Sequence, residues 1–117
     1  MSEQDCLFCK IINGNAAADV VFQDGRCVVI RDINPHAPTH VLVIPRDHLE
    51  SLDDATQRDE LVLGHLLRVA AKVANDHGLS DSGGYRTVIN TGSGAGQSVF
   101  HLHVHVLGGR EMTWPPG

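Results

Sequence analysis

His101-Leu102-His103-Val104-His105-Val106-Leu107 alternates imidazole and aliphatic side chains, and its reading decides the rest. Successive side chains on a strand point to opposite faces, so the spacing predicts a strand over 100–107. His101, His103 and His105 then share one side, while Phe100, Leu102, Val104 and Val106 turn to the core. The apolar set explains how such a strand is held, but gives no reason for three imidazoles in register. A solvent-exposed sheet face accounts for one histidine, not for three beside Thr91-Gly92-Ser93-Gly94-Ala95-Gly96-Gln97-Ser98, a loop too glycine-rich for regular structure. Alternating histidines also suit a zinc triad, although such sites usually draw ligands from more than one strand.

Upstream, 85–90 reads as a strand and 59–76 as the one clear helix. Leu63, Leu66, Leu67, Ala70, Val73 and Ala74 recur at helical spacing, with Arg68, Lys72 and Asn75 opposite and Gly78 as the natural stop. The continuous apolar run 41–44, ended by Pro45, predicts a central strand buried on both faces. Residues 20–22 and 27–31 read as a hairpin about Asp24-Gly25, and Asn34-Pro35 breaks the second strand. Residues 6–12 form a short helical turn closed by Asn13-Gly14-Asn15. The sum is an α+β fold: an antiparallel sheet of about five strands, one main helix and a short N-terminal helix.

The 117 residues suit a single domain spanning 1–117. A net charge of −5 with no basic cluster argues against nucleic-acid partners. No apolar run approaches the roughly 18 residues of a membrane span. Met1-Ser2-Glu3-Gln4-Asp5 is acidic and lacks the basic and apolar regions of a secretory signal, so the expected location is the cytoplasm. Cys6, Cys9 and Cys27 are too few and too odd for a disulfide framework; Cys6 and Cys9 read as thiols or metal ligands.

Phe8-Cys9-Lys10-Ile11-Ile12, Asp32-Ile33-Asn34-Pro35-His36-Ala37-Pro38-Thr39-His40, Val43-Ile44-Pro45-Arg46-Asp47-His48, Gly96-Gln97-Ser98-Val99 and the histidine strand follow one another in order. In this the chain resembles the histidine triad (HIT) superfamily over nearly its whole length. The ending Leu107-Gly108-Gly109-Arg110 through Trp114-Pro115-Pro116-Gly117 is similar to the Hint branch, the nucleotide-binding phosphoramidases. The resemblance implies the HIT fold and attack by His103 on the α-phosphorus of a purine nucleoside 5′-phosphoramidate. A covalent nucleotidyl-histidine then forms and water hydrolyses it. Imidazole suits the step, because an ordinary pKa near 6.5 leaves much of it neutral at pH 7. A bond from one His103 nitrogen to a backbone carbonyl, in the family that of the residue here numbered His101, would leave the other nitrogen as the attacking lone pair.

The same resemblance implies that His105, if protonated, stabilises charge on the phosphate, and that Ser98 hydrogen-bonds near the leaving group. The proton for a departing amine falls to His105 or to a relay through His40; the residues alone do not choose between them. Backbone N–H groups of the loop 92–96 can approach a phosphate closely. The resemblance further implies that Asp32 accepts the ribose hydroxyls, although an Asp before Asn34-Pro35 is by itself more often a turn former. On the same resemblance Phe8, Ile11, Ile30 and Ile33 would sandwich the base, although apolar residues at such positions are mostly core, and Asn90, Gly96 and Val99 would complete the site for an AMP- or GMP-like ligand. Arg31 stands where well-known Hint proteins carry a histidine, and 81–84 is an extra loop.

Cys6-Leu7-Phe8-Cys9 has the spacing that lets two thiolates chelate one ion. In some HIT relatives such a pair binds zinc with two histidines, which here are His48 and His101. The implied set Cys6, Cys9, His48 and His101 is structural, with His101 a ligand rather than a catalytic group; the counter-reading is two buried thiols without metal. No organic cofactor is implied. A homodimer is, with sheets joined and the tail 114–117 reaching the partner's site. Cys27, His65 and His77 read as structural residues, and His36 as a loop residue without a role. Rival readings are a dinucleoside polyphosphate hydrolase with the same nucleophile, a nucleotide-binding or scaffold protein whose hydrolysis is incidental, and a zinc protein without hydrolase activity.

Overall fold

The run Val41-Leu42-Val43-Ile44 lies at the centre of the molecule because it has something apolar to meet on either side. A computed structural model describes residues 5–117; residues 1–4, most of the stretch read above as lacking a secretory signal, lie outside the described residues. Strand β3 (Thr39–Pro45) sits in a five-stranded antiparallel sheet with β1 (Val20–Gln23), β2 (Cys27–Arg31), β4 (Tyr85–Val88) and β5 (Val104–Gly108), ordered β1-β2-β3-β5-β4. Val41 and Val43 face one way with Cys27, Val29, Val104 and Val106, against Leu66, Val69, Ala70 and Val73 of helix α2 (Glu60–Asp76). Leu42 and Ile44 face the other way with Val28 and Ile30, against Cys6, Phe8 and Cys9 at helix α1 (Leu7–Ile12). Period two thus sorts one apolar run into two cores, and the expected fold class is borne out.

Helix α2 ends as its sequence predicts. The Leu79 N–H donates to the Ala74 carbonyl and the Gly78 N–H to the Asn75 carbonyl, with Gly78 at φ +72°, the left-handed residue a helix stop of this type requires. Leu67, read with the apolar stripe, is instead half-exposed. No helix among the described residues is long and apolar enough to cross a membrane.

The strand expected over 100–107 begins only at Val104. The β3–β5 ladder stops at Val43 opposite Val104, and two residues further along β3 stands Pro45, which has no N–H to offer. Its carbonyl instead accepts from His101 Nε2 at 2.8 Å, and the Leu102 N–H donates to Leu49. The inward set survives this departure, since Leu102, Val104 and Val106 are all buried, while Phe100 is only partly so. The strand expected over 85–90 is likewise cut to Tyr85–Val88, whose ladder ends opposite His105. The glycine-rich loop carries a 3-10 turn over Ser93–Ala95, a local order its composition did not predict.

Candidate active site and metal centre

The irregular step before β5 positions His103. Its Nδ1 donates to the His101 carbonyl at 2.7 Å, and because a carbonyl can only accept, the hydrogen resides on Nδ1 and the lone pair on Nε2. Burial pushes the His103 pKa down, and the His101 carbonyl and the Asp32 carboxylate only partly oppose it. The ring is therefore neutral at pH 7, with one nitrogen free to act as a nucleophile.

His40 and His105 form a second linked pair. The His36 backbone N–H donates to His40 Nδ1 at 3.0 Å, which leaves the His40 hydrogen on Nε2. That nitrogen lies 3.0 Å from His105 Nδ1, so in this bond the hydrogen of His105 sits on Nε2. Burial, then the neighbouring His103 and His40 rings, push the His105 pKa down to about 4. The condition attached to a charge-bearing role, a protonated His105, is not met at neutral pH: desolvation favours the neutral ring, which offers an N–H dipole rather than a full charge. The same tautomer logic argues against a metal ion held by Asp32, His40 and His105, which lie near one another. His40 Nδ1 already accepts, and binding through Nε2 would remove the ring's only hydrogen.

One consequence is measurable in stability. An unfolded histidine protonates near pH 6.5, whereas folded His105 resists protonation down to about 4. Between these values the unfolded chain binds more protons, so stability falls as the pH is lowered through this window. We expect the share of His105 to be on the order of 2 kcal/mol, read as a lower urea midpoint at pH 5 than at pH 7.5. His105→Asn should show a shallower decline; an equal decline in both proteins contradicts this account.

Two adjoining cavities meet at His105. One, of about 320 Å³, is lined by Phe8, Ile11, Ile30, Asp32, Ile33, Ser98, Val99, His103 and His105, among others. The second, of about 410 Å³, is more polar and is lined by Asp32, His36, His40, Asn90, Gly96, Ser98 and His105, among others. Every residue expected at a nucleotide site lines one or the other. Ile33, 97% exposed, forms part of the apolar cavity wall. His101 lines neither cavity, being fully buried, and it serves the site through its backbone carbonyl.

Three contributors lie outside the residues expected at the site. The Pro45 carbonyl and the His36 amide are backbone groups that any residue type could supply. Gln97 is buried; its side chain donates to the Glu50 and Val99 carbonyls and accepts from the Gly92 N–H, pinning the loop against the body of the protein. Its place beside Ser98 in the quoted Gly96-Gln97-Ser98-Val99 motif was the only available hint. Arg31, Ala17 and Ala18 also line the apolar cavity, and Arg31 is paired with Asp19 at 2.9 Å. His65 hydrogen-bonds Asp24 at 2.7 Å, a tie between α2 and the β1–β2 hairpin that agrees with its structural reading.

On the far side of His101 lies the cysteine cluster. Cys6 caps α1, its sulfur accepting from the Cys9 N–H. The Cys6 sulfur is 3.3 Å from His101 Nδ1, the Cys9 sulfur 3.3 Å from His48 Nδ1 and 3.5 Å from His101 Nδ1, and the two Nδ1 atoms are 3.2 Å apart. Zinc bound to two sulfurs and two nitrogens at ordinary bond lengths gives tetrahedral edges of about 3.3 to 3.8 Å. The His101 Nε2 bond to the Pro45 carbonyl directs its Nδ1 lone pair into the cluster, as a supporting bond does for a metal ligand. The expected four residues are brought together, and the set fits a structural zinc ion.

The HIT domain family matches residues 13–112. An uncharacterized HIT-like protein of Synechococcus elongatus is 50% identical over 117 residues, all of both chains. A 14 kDa zinc-binding protein of Zea mays is 49% identical over 119 residues, covering all of this chain and 91% of that one. Among solved structures, a HIT family hydrolase from Legionella pneumophila superposes with a TM-score of 0.94 at 50% identity, covering 97% of this chain and 100% of that one. A histidine triad nucleotide-binding protein from Candida albicans gives 0.81 at 29% identity, over 97% and 85% of the two chains. A zinc-bound histidine triad family protein from Mycobacterium smegmatis gives 0.78 at 30% identity, over 99% and 82%.

Proposed function

The chain belongs to the HIT domain family, and on that premise we propose that it hydrolyses purine nucleoside 5′-phosphoramidates, AMP derivatives foremost, through a nucleotidyl-His103 intermediate. The observation that carries this reading is the bond from His103 Nδ1 to the His101 carbonyl, which leaves a neutral Nε2 beside an apolar and a polar cavity. The base occupies the apolar cavity between Phe8, Ile11, Ile30 and Ile33, with the ribose on Asp32. Neutral Nε2 attacks phosphorus while the P–N bond breaks, and water then cleaves the histidine adduct. Amine departure requires a proton; the neutral His40–His105 pair takes one up from solvent, and His105 passes it to the amine nitrogen as the P–N bond breaks. His105 and Ser98 donate hydrogen bonds to phosphate oxygens or the leaving group. A zinc ion held by Cys6, Cys9, His48 and His101 would tie α1 to the segment before β5 and would supply no chemistry at phosphorus.

The hydrolase and nucleotide-binding names of the Legionella and Candida proteins support this reading. It includes a homodimer, supported by the outer edge of β4 and by Trp114, 81% exposed. The test is turnover of adenosine 5′-phosphoramidate against diadenosine polyphosphates. We expect kcat/KM to favour the phosphoramidate by about 100-fold, a transition-state difference of about 2.7 kcal/mol. The opposite order would hand the assignment to polyphosphate cleavage, and no turnover of either would leave a binding protein.

A further inference from the structure

The hydrogen on His40 Nε2 has two acceptors within reach. His105 Nδ1 lies 3.0 Å away and Asp32 Oδ2 lies 3.3 Å away. The ring has no second hydrogen to share, because its Nδ1 accepts from the His36 amide and burial disfavours protonation. One well-aligned bond therefore excludes the other. Distance favours His105, but the carboxylate is the stronger acceptor, since bonds to an ionised group are about twice as strong as neutral ones. The other Asp32 oxygen is occupied by the Asn34 N–H at 2.8 Å. Asp32 lines both cavities, and so does His105.

We propose that Asp32 couples the sugar to the chemistry: ribose hydroxyls that donate to its carboxylate release the His40 hydrogen to His105, fixing the tautomer of His105. The inference rests on the nucleotide reading above and adds to it a positioning role for Asp32 and His40. Each O–H donated to a carboxylate lowers its appetite for a further hydrogen bond, so a bound diol tips the contest toward the nearer imidazole. His105 then holds its own hydrogen on Nε2 as a donor. When the His40 hydrogen turns to Asp32, the His105 ring loses the partner that fixes its tautomer. A substrate without ribose hydroxyls still fills the base cavity, yet meets a site whose donor is not set. The sugar would then be read in kcat as well as in KM, because its binding energy is spent on arranging the reacting centre.

The test uses the full-length, zinc-loaded protein with 15N-labelled histidines, titrated with AMP and with 2′,3′-dideoxy-AMP. AMP should move His105 Nδ1 to the resonance of a bare ring nitrogen and Nε2 to that of a protonated one; the dideoxy compound should leave both averaged. Asp32→Ala, which removes the competing acceptor, should show the AMP-like pattern before any nucleotide is added. In turnover of the matching phosphoramidates, loss of the hydroxyls should lower kcat about tenfold in the wild type and leave it unchanged in Asp32→Ala. Identical His105 signals with both nucleotides, or a sugar effect confined to KM, overturns the coupling while leaving nucleotide binding intact. Failure of AMP to perturb the histidines at all overturns the nucleotide reading and this inference together.

Discussion

Replacing His103 with alanine lowers turnover of adenosine 5′-phosphoramidate by about 10⁴-fold or more, while AMP still binds. The size of the loss follows from the role. No other imidazole is prepared to replace it: His101 donates through Nε2 to Pro45 and turns Nδ1 to the cysteines, and the lone pair of His105 Nδ1 faces His40. Binding survives because the apolar walls at Phe8, Ile11, Ile30 and Ile33 do not depend on the lost ring. Steady-state kinetics beside calorimetric AMP titration measures both halves. A variant that keeps turnover removes His103 as nucleophile; one that loses turnover and AMP binding together reports damage to the pocket.

The second large effect comes from the metal. Removing zinc with a chelator, or replacing Cys9 with serine, should cost roughly 3 kcal/mol and lower the Tm by on the order of 10 °C. Helix α1 has only six residues, too few to persist without tertiary support. Its two cysteines flank Phe8, whose ring lies edge-on to His101 at 5.9 Å and to His103 at 5.1 Å between centroids. Loosening α1 thus loosens a wall of the base cavity and a neighbour of the nucleophile. AMP affinity should fall along with Tm, and scanning calorimetry with parallel metal analysis reads the stability change. A metal-free protein with unchanged Tm would show that Cys6 and Cys9 act as buried thiols alone.

Much of this was legible in the residues because the signals were periodic or chemically rare. Alternation in His101–His105 predicted which side chains turn inward, and Leu102 does so although the strand begins only at Val104. The continuous run 41–44 announced two covered faces. Cys6 and Cys9 meet His48 and His101 because α1 lies against the face of β3 that carries Leu42 and Ile44. What stayed hidden depends on tertiary context. The late start of β5 follows from Pro45 on the partner strand, a cross-strand effect invisible in the triad itself. The His36 amide and the Pro45 carbonyl set tautomers, yet backbone groups leave no mark on composition. The neutral state of His105 arises from desolvation and from neighbours brought beside it by folding. Leu67 fitted the helical stripe but lies where the sheet does not reach.

The proposed reaction turns on a covalent bond between His103 Nε2 and phosphorus. Its most direct test is to mix the wild-type protein with excess adenosine phosphoramidate, quench within milliseconds under alkaline conditions that spare a phosphorus–nitrogen bond to histidine, and map the adduct by mass spectrometry. One adenylyl group per chain is expected, carried on His103 and absent from His103→Ala. An adduct on another residue, or rapid turnover with no adduct at any quench time, would contradict it.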